Sequence, residues 1–477
     1  PTSNTCNAAL TAISALPAKT DFTAEYSVIQ PNGTTVAYTS TLATANAALT
    51  NTPGCFTIKA RYKLTAACGT SAINTVGTGG CAETVINAVV FPASPTIVGP
   101  TSNTCNAALT AISALPAQTG FTAEYSVIQP DGTTVAYTST LATANAALTN
   151  IPGCFTIKAR YKLTAACGGT AINTVGTGGC AETVINAVVF PPAPTITAMS
   201  NTCSVSLGNI TAVTAVAGFT AEYAVQAPGG SLSSYGTLAA ANALMGTTPG
   251  CWTIKARYKL TSTCGGTAAN AVGTGGCAES TINAVVFPTE PTITAPTNTC
   301  AAMFTLPTVS AVTGFTVQYS IDGGTYATSP STTTPGCHSV KARYVITSAC
   351  GGTAALATAP VGCLESNTVH VVIFPAAPTI TATANTCEGT SFAMPTVSAV
   401  TGFTVQYSID GGTYATAPTE TTPGCHTVQA RYVLTADCGT VPIPALSTAP
   451  VACLESNIVS VVIFPNEPVI TAPTNTC

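Results

Sequence analysis

The chain has 477 residues, of which 6% are charged, and its net charge is −4; ordinary soluble domains carry about 25% charged residues. With no basic stripe to neutralise phosphates and no polybasic patch to meet an anionic bilayer, nucleic acid and membrane-surface partners are excluded. The apolar residues are mostly Ala and Val interleaved with Thr, Ser and Gly, and no run approaches the ~18 to 20 apolar residues of a spanning helix.

Periodicity dominates the chain. Asn-Thr-Cys recurs at Cys6, Cys105, Cys203, Cys300, Cys387 and Cys477, at spacings that fall from 99 to 87 and return to 90. That period is too long for a solenoid unit and matches one sandwich domain of ~100 residues. The repeats read as residues 1–94, 95–193, 194–290, 291–377 and 378–467, with 468–477 opening a sixth. Pro1–Cys6 repeats Pro100–Cys105, so the sequence reads as a window on a longer repetitive polypeptide.

Within repeat one, Asn32-Gly33 is a hairpin signal, as are Asp131-Gly132 and Asp322-Gly323-Gly324 later. Leu42 to Leu49 has a weak helical look. The segment from Gln30 to Pro53 shrinks to Ile321–Pro335 in repeat four, so it is expected to be a loop or an edge element. Next, Phe56, Ile58, Ala60, Tyr62 and Leu64 alternate with Thr57, Lys59, Arg61 and Lys63, the mark of a half-buried strand. Phe315, Val317, Tyr319 and Ile321 alternate in the same way in repeat four. Each repeat closes on a Val-Val-Phe-Pro or Val-Ile-Phe-Pro strand, as at Val89–Pro92, followed by a Pro-x-x-Pro linker such as Pro92/Pro95. The pattern predicts an all-β chain of tandem immunoglobulin-like β-sandwich domains, about seven short strands each, stacked end to end. At ~35 to 40 Å per domain the rod would approach 200 Å.

There are 21 cysteines. The shortest gap between them is 13 positions and only three His are present, so disulfides in an oxidising, extracellular setting are expected rather than zinc. The disulfide candidates are four per repeat: Cys6, Cys55, Cys68, Cys81; Cys105, Cys154, Cys167, Cys180; Cys203, Cys251, Cys264, Cys277; Cys300, Cys337, Cys350, Cys363; and Cys387, Cys425, Cys438, Cys453. A straight strand separates Cys55 from Cys68, which excludes that pair. Cys81, placed at the start of the next strand, is excluded from Cys55 on the same ground. The expected pairs are then Cys68–Cys81 at one pole and Cys6–Cys55 at the other, with a bridge between repeats such as Cys55–Cys105 as the rival. Cys477 would be left over.

No catalytic constellation is legible. His338 and His426 sit beside Cys337 and Cys425 at equivalent, surface or edge positions, and His370 stands alone. Asp322 and Asp410 fit Asx-turns. No cluster of oxygens suits calcium, and Gly77-Thr78-Gly79-Gly80 lacks the Lys of a phosphate loop. The expectation is no enzyme, no cofactor and no metal. Two charged positions recur in all five repeats: Arg61, Arg160, Arg257, Arg343 and Arg431, and Glu83, Glu182, Glu279, Glu365 and Glu455. They are expected to form a cross-strand structural ion pair; a lateral contact between rods and a ligand site are the other readings.

The landmarks Asn298-Thr299-Cys300, Thr316 to Tyr326, Thr334-Pro335-Gly336-Cys337 and the terminal Val-Ile-Phe-Pro-Ala-Ala-Pro-Thr-Ile-Thr resemble the repeats of giant cell-surface adhesins of Bacteroidetes, exported by type IX secretion and used in gliding. The resemblance covers all five repeats and is closest in the fourth and fifth. It implies an extracellular filament or stalk segment at the cell surface, with adhesion elsewhere, and it carries over no catalytic residue. The other reading is a tandem module that binds glycans or another surface polymer through its loops. Partners on these readings are copies of the chain, laterally or end to end, and a surface or glycan ligand through regions outside this window.

Overall fold

A computed structural model of the chain describes residues 3–474 apart from 71–74, 101, 170–173, 348–349, 351–358, 436, 439–448 and 451–452. The expectation for Cys477 lies outside the described residues. The chain is nearly all β, and its five sheets form tandem immunoglobulin-like β-sandwich domains, one sheet per repeat.

The first domain holds β1 (Thr5–Cys6), β2 (Phe22–Ile29), β3 (Thr35–Thr39), α1 (Leu42–Ala47), β4 (Gly54–Leu64) and β5 (Thr84–Phe91). Its sheet order is β1-β5-β4-β2-β3. The second repeats it with β6 (Thr104–Cys105), β7 (Phe121–Ile128), β8 (Thr134–Thr138), α2 (Leu141–Ala146), β9 (Gly153–Leu163) and β10 (Glu182–Phe190). The third has β11 (Thr202–Cys203), β12 (Phe219–Gln226), α3 (Leu238–Ala243), β13 (Gly250–Leu260) and β14 (Glu279–Phe287). The fourth has β15 (Thr299–Cys300), β16 (Phe315–Ile321), β17 (Gly336–Ile346) and β18 (Val369–Phe374). The fifth has β19 (Thr386–Cys387), β20 (Phe403–Ile409), β21 (Gly424–Leu434) and β22 (Val459–Phe464).

Four or five strands per domain, among the described residues, is fewer than the seven expected. The second layer is built by extended chain without a ladder. Leu10, Ile13 and Leu16 lie on the first sheet beside Val28 and Phe56. Their backbone is satisfied by side chains instead: Ile13 N–H donates to Asn46 Oδ1 at 2.7 Å and Leu16 N–H to Tyr26 Oη at 2.8 Å. Buried backbone groups need such partners whether or not a sheet supplies them.

The long central strand follows the sequence alternation. Phe155, Ile157, Ala159, Tyr161 and Leu163 of β9 are all buried, and each large side chain removed from water contributes about 1.5 to 3 kcal/mol. The segment lost from repeats four and five corresponds to edge strand β3 and α1. In its place, Asp322 (φ 52°) and Gly323 (φ 71°) make a tight turn closed by Gly324 N–H to the Ile321 carbonyl at 2.9 Å, the backbone that hairpin twist favours.

The Asn-Thr-Cys landmark has a local cause. Asn103 Oδ1 accepts the Val188 N–H at 2.9 Å, and Thr104 Oγ1 donates to the Ala107 carbonyl at 2.6 Å. Together they hold the two-residue strand β6 parallel to the end of β10, with Cys105 opposite Phe190.

The terminal Val-Val-Phe run does not alternate, because both its faces are buried. Ala187 and Val189 of β10 belong to the core of the second domain, whereas Val188 and Phe190 pack with Phe219, Tyr258 and Leu260 of the third. The same sharing joins Val89 and Phe91 to the second domain, Val285 and Phe287 to the fourth, and Val372 and Phe374 to the fifth.

Candidate functional site: a disulfide clasp between domains

The expected pairings within repeats are not formed. Cys6 bonds Cys180 and Cys55 bonds Cys167. Cys105 bonds Cys277, Cys154 bonds Cys264, Cys203 bonds Cys363 and Cys251 bonds Cys350. Cys300 bonds Cys453 and Cys337 bonds Cys438. The first two cysteines of each of the first four domains thus join the fourth and third of the next, at Cα separations of 5.5 to 5.8 Å. Cys55 does not meet Cys105 either.

Sheet order explains the correction. Cys6 and Cys55 do share a pole, but β5 runs between them, with Cys6 opposite Phe91 and Cys55 opposite Val89. Two strand spacings are ~9.6 Å, too far for a bond that needs Cα atoms ~5.5 Å apart. Both thiols instead face outward along β5, where the next domain docks. Cys81 does not open a strand: it ends a 3-10 turn, Gly79–Cys81, ahead of β5. In the second domain the matching turn and the Cys167 loop reach back over the first. Cys180 Sγ lies 3.4 Å from the Phe91 carbonyl and Cys167 Sγ lies 3.7 Å from the Ala88 carbonyl.

Further contacts complete the clasp. Phe91 packs on Phe121 with ring centroids 5.7 Å apart, and Phe190, Phe287 and Phe374 repeat the contact. The linker is tied down where Ser94 N–H and Ala193 N–H each donate at 2.9 Å, to the carbonyls of Gly179 and Gly276. Glycine is required after the third cysteine: Gly265 has φ +57°, and a Cβ there would come within 2.7 Å of Asn186 of the preceding domain. Beside the first linker is a groove of about 460 Å³, half of whose lining residues are Pro or Ala, with Tyr161 its one aromatic ring.

The recurring Arg and Glu lie opposite one another, at Arg160↔Glu182 and Arg257↔Glu279, but they are not ion-paired with each other. Arg160 bonds Glu124 on its other side at 2.8 Å, and Lys158 takes Glu182 at 3.0 Å. Tyr137 links the halves: the Arg160 guanidinium stacks 3.5 Å over its ring and its hydroxyl donates to Glu182. Arg61, Glu25, Lys59, Glu83 and Tyr38 form the same set. In the third domain the set is Arg257, Glu222, Lys255, Glu279 and Tyr235. Burial and then the Glu83 carboxylate push Tyr38 up to about 12, so it remains a donor. The Tyr137 hydroxyl and then Lys158 hold Glu182 below the usual carboxylate range. In domains four and five glutamine replaces the buried glutamate: Arg343 donates to Gln318 and Arg431 to Gln406, each at 3.0 Å, over Tyr326 and Tyr414. Lys341 bonds Glu365 at 2.8 Å, whereas Gln429 stands at the corresponding position beside Glu455. Sequence reasoning missed Glu25, Glu124, Glu222 and the tyrosines. Their signal was a Glu in β2, β7 and β12 in register with the recurring Arg.

His338 and His426 are buried rather than superficial. They stand where repeats one to three have Phe56, Phe155 and Trp252. His426 Nδ1 lies 2.6 Å from Asp410 Oδ2 and Nε2 lies 2.8 Å from the Thr422 carbonyl. Two acceptors at the two ring nitrogens require the doubly protonated ring. Asp410, and then the Thr422 carbonyl, raise the His426 pKa above its ordinary value of 6.5. The resulting stabilisation is full below pH 6.5 and is lost as pH rises through the raised folded value. Thermal melts should therefore show the fifth domain weakening as pH rises above 6.5, and His426→Phe should flatten that dependence. His338 makes the same two contacts, to Asp322 and the Thr334 carbonyl.

Cys337, His370 and Cys438 have ligand atoms within 4.8 Å of one another. Two of the three are joined as a disulfide, so the trio has no thiolate to offer a metal.

No protein-family model matches the chain, and no curated protein sequence matches it. Among solved structures, Drosophila N-cadherin EC1-4 aligns over 68% of this chain and 88% of its own at 8% identity and TM-score 0.15. A Bacteroides ovatus protein of the mixed-linkage glucan utilization locus, SGBP-B in complex with a mixed-linkage heptasaccharide, aligns over 58% and 69% at 11% identity and TM-score 0.13. Native Escherichia coli alpha-2-macroglobulin aligns over 94% of this chain and 38% of its own at 8% identity and TM-score 0.15. The disulfides among repeated β domains are what mark a protein of an oxidising, extracellular environment.

Proposed function

We propose that the chain is a structural stalk or filament segment of an extracellular bacterial cell-surface adhesin, without catalytic chemistry of its own. The clasp carries this reading. The shortest covalent path between the chain ends runs through Cys6–Cys180, Cys154–Cys264 and Cys300–Cys453. It uses roughly 95 residues of backbone, a contour of about 330 Å at ~3.5 Å per residue. Without the bridges the full chain would extend to about 1,650 Å. The bridged chain can therefore gain at most about 130 Å beyond an end-to-end stack of nearly 200 Å, roughly a tenth of what the unbridged chain could gain, which suits a tether. The resemblance to Bacteroidetes surface adhesins points the same way.

Single-molecule pulling from the two ends tests the reading. The oxidised chain should stop extending near 330 Å and the reduced chain near 1,650 Å; full extension without reductant would remove the mechanical argument. The competing reading, a module that binds glycans, is separated by a glycan array. The five repeats should show no selective binding, and strong selective binding would overturn the stalk.

A further inference from the structure

The bridge Cys337–Cys438, between the fourth and fifth domains, has a neighbour that the corresponding bridges lack. One ring nitrogen of His370 lies within 4.8 Å of both sulfurs. His370 Nδ1 is buried and has no hydrogen-bond partner. In the first three domains Asn87, Asn186 and Asn283 hold this position, and each amide oxygen accepts from a threonine of the adjacent strand at 2.7 to 2.8 Å. The residue opposite His370 is Ser339, whose hydroxyl turns instead to Asp322 at 3.4 Å. The imidazole is left beside the bridge. Among the described residues no other bridge has a histidine so close.

The two sulfurs are unequal. Cys337 is exposed, whereas Cys438 is fully buried. An incoming thiolate therefore reaches Cys337 and expels Cys438. A thiolate left in the interior is costly unless a partner stabilises it. A neighbouring imidazolium does so, and a stabilised thiolate is the faster leaving group. We infer that Cys337–Cys438 is an exchange site for low-molecular-weight thiols of the glutathione class, with Cys337 Sγ the atom attacked and His370 the proton donor to the departing sulfur. The glutathione thiolate bonds Cys337 Sγ as the bond to Cys438 breaks. The electron pair leaves on Cys438 Sγ, which takes the proton from His370. One S–S bond replaces another, so no oxidant is needed. Cys300–Cys453 stays closed, so the junction loosens without lengthening the covalent path between the chain ends.

The test uses the whole oxidised chain with its free thiols blocked by N-ethylmaleimide. Reduced glutathione is added, samples are quenched with iodoacetamide, and peptides are mapped over time. Glutathione should appear on Cys337 and the iodoacetamide label on Cys438. This bridge should open about tenfold faster than Cys55–Cys167, Cys154–Cys264 and Cys251–Cys350. Cys6 and Cys105 are exposed as well, so their slower bridges should show that exposure alone does not suffice. His370→Asn, the residue of the first three domains, and His370→Ser, that of the fifth, should each remove the tenfold advantage. Glutathione on Cys438, equal rates at all these bridges, or an undiminished rate in both variants overturns the inference. The site of attack and the relative rates are read on the parent chain, so they hold whether or not a variant folds. The inference does not rest on the stalk reading, which the pulling experiment tests through other bridges.

Discussion

Replacing Cys105, Cys154, Cys264 and Cys277 together by serine should uncouple the second and third domains and lower their stability by several kcal/mol. The two bridges close stretches of 172 and 110 residues, and bridges of such span contribute about 2 to 4 kcal/mol each by limiting the unfolded chain. Because the two loops overlap, the second bridge adds less than the first. A single domain has only ~5 to 15 kcal/mol in hand, so the melting of domains two and three should fall by ten degrees or more. Domains one and five should change little. Cys68→Ser with Cys81→Ser is the control: these thiols are free in the chain, and melting of the monomer should not move. A bridge within the repeat would make the same control costly. Differential scanning calorimetry of the three proteins measures both.

Phe190→Ala should be the most damaging single apolar substitution at a junction. Its ring is buried between Val188 of its own strand and Phe219, Tyr258 and Leu260 of the next domain. Truncating a buried Phe costs about 3 to 5 kcal/mol, the transfer of the ring plus the cavity left behind. The loss should appear in the third domain as well as the second, since the side chain belongs to the core of the third. Phe464→Ala is the equivalent change at a ring that is 52% exposed, and in this 477-residue chain it should stay within ~0.5 kcal/mol of the parent. Urea titrations followed by the Trp252 fluorescence of the third domain separate the two outcomes, because Trp252 is the only Trp and is buried there.

Much of the fold was legible because it is written in local patterns. The alternation from Phe56 to Leu64 gave the central strand, Asp322-Gly323 gave the turn, and Leu42 to Leu49 gave the short helix. What escaped were facts of neighbourhood. The second layer carries no alternation, since Leu10, Ile13 and Leu16 follow an extended path satisfied by Asn46 and Tyr26. The disulfide pairing depends on β5 lying between β1 and β4, an order no single strand announces. A signal was present in Val89-Val90-Phe91: a run without polar positions in an otherwise alternating domain needs cover on both faces, and only a following domain could provide the second. The Arg partner was misassigned for a related reason. Arg160 has a Glu in register on each side, and Glu124, itself buried, takes the guanidinium while Glu182 is satisfied by Lys158 and Tyr137.

The central claim is that the cysteines bridge consecutive domains, and non-reducing peptide mapping tests it most directly. Proteolysis of the oxidised chain under conditions that block thiol exchange should yield a peptide containing Cys154 joined to one containing Cys264, and Cys105 joined to Cys277. Recovery of Cys105 joined to Cys154, or of Cys167 joined to Cys180, would place the bridges within single repeats and contradict the account.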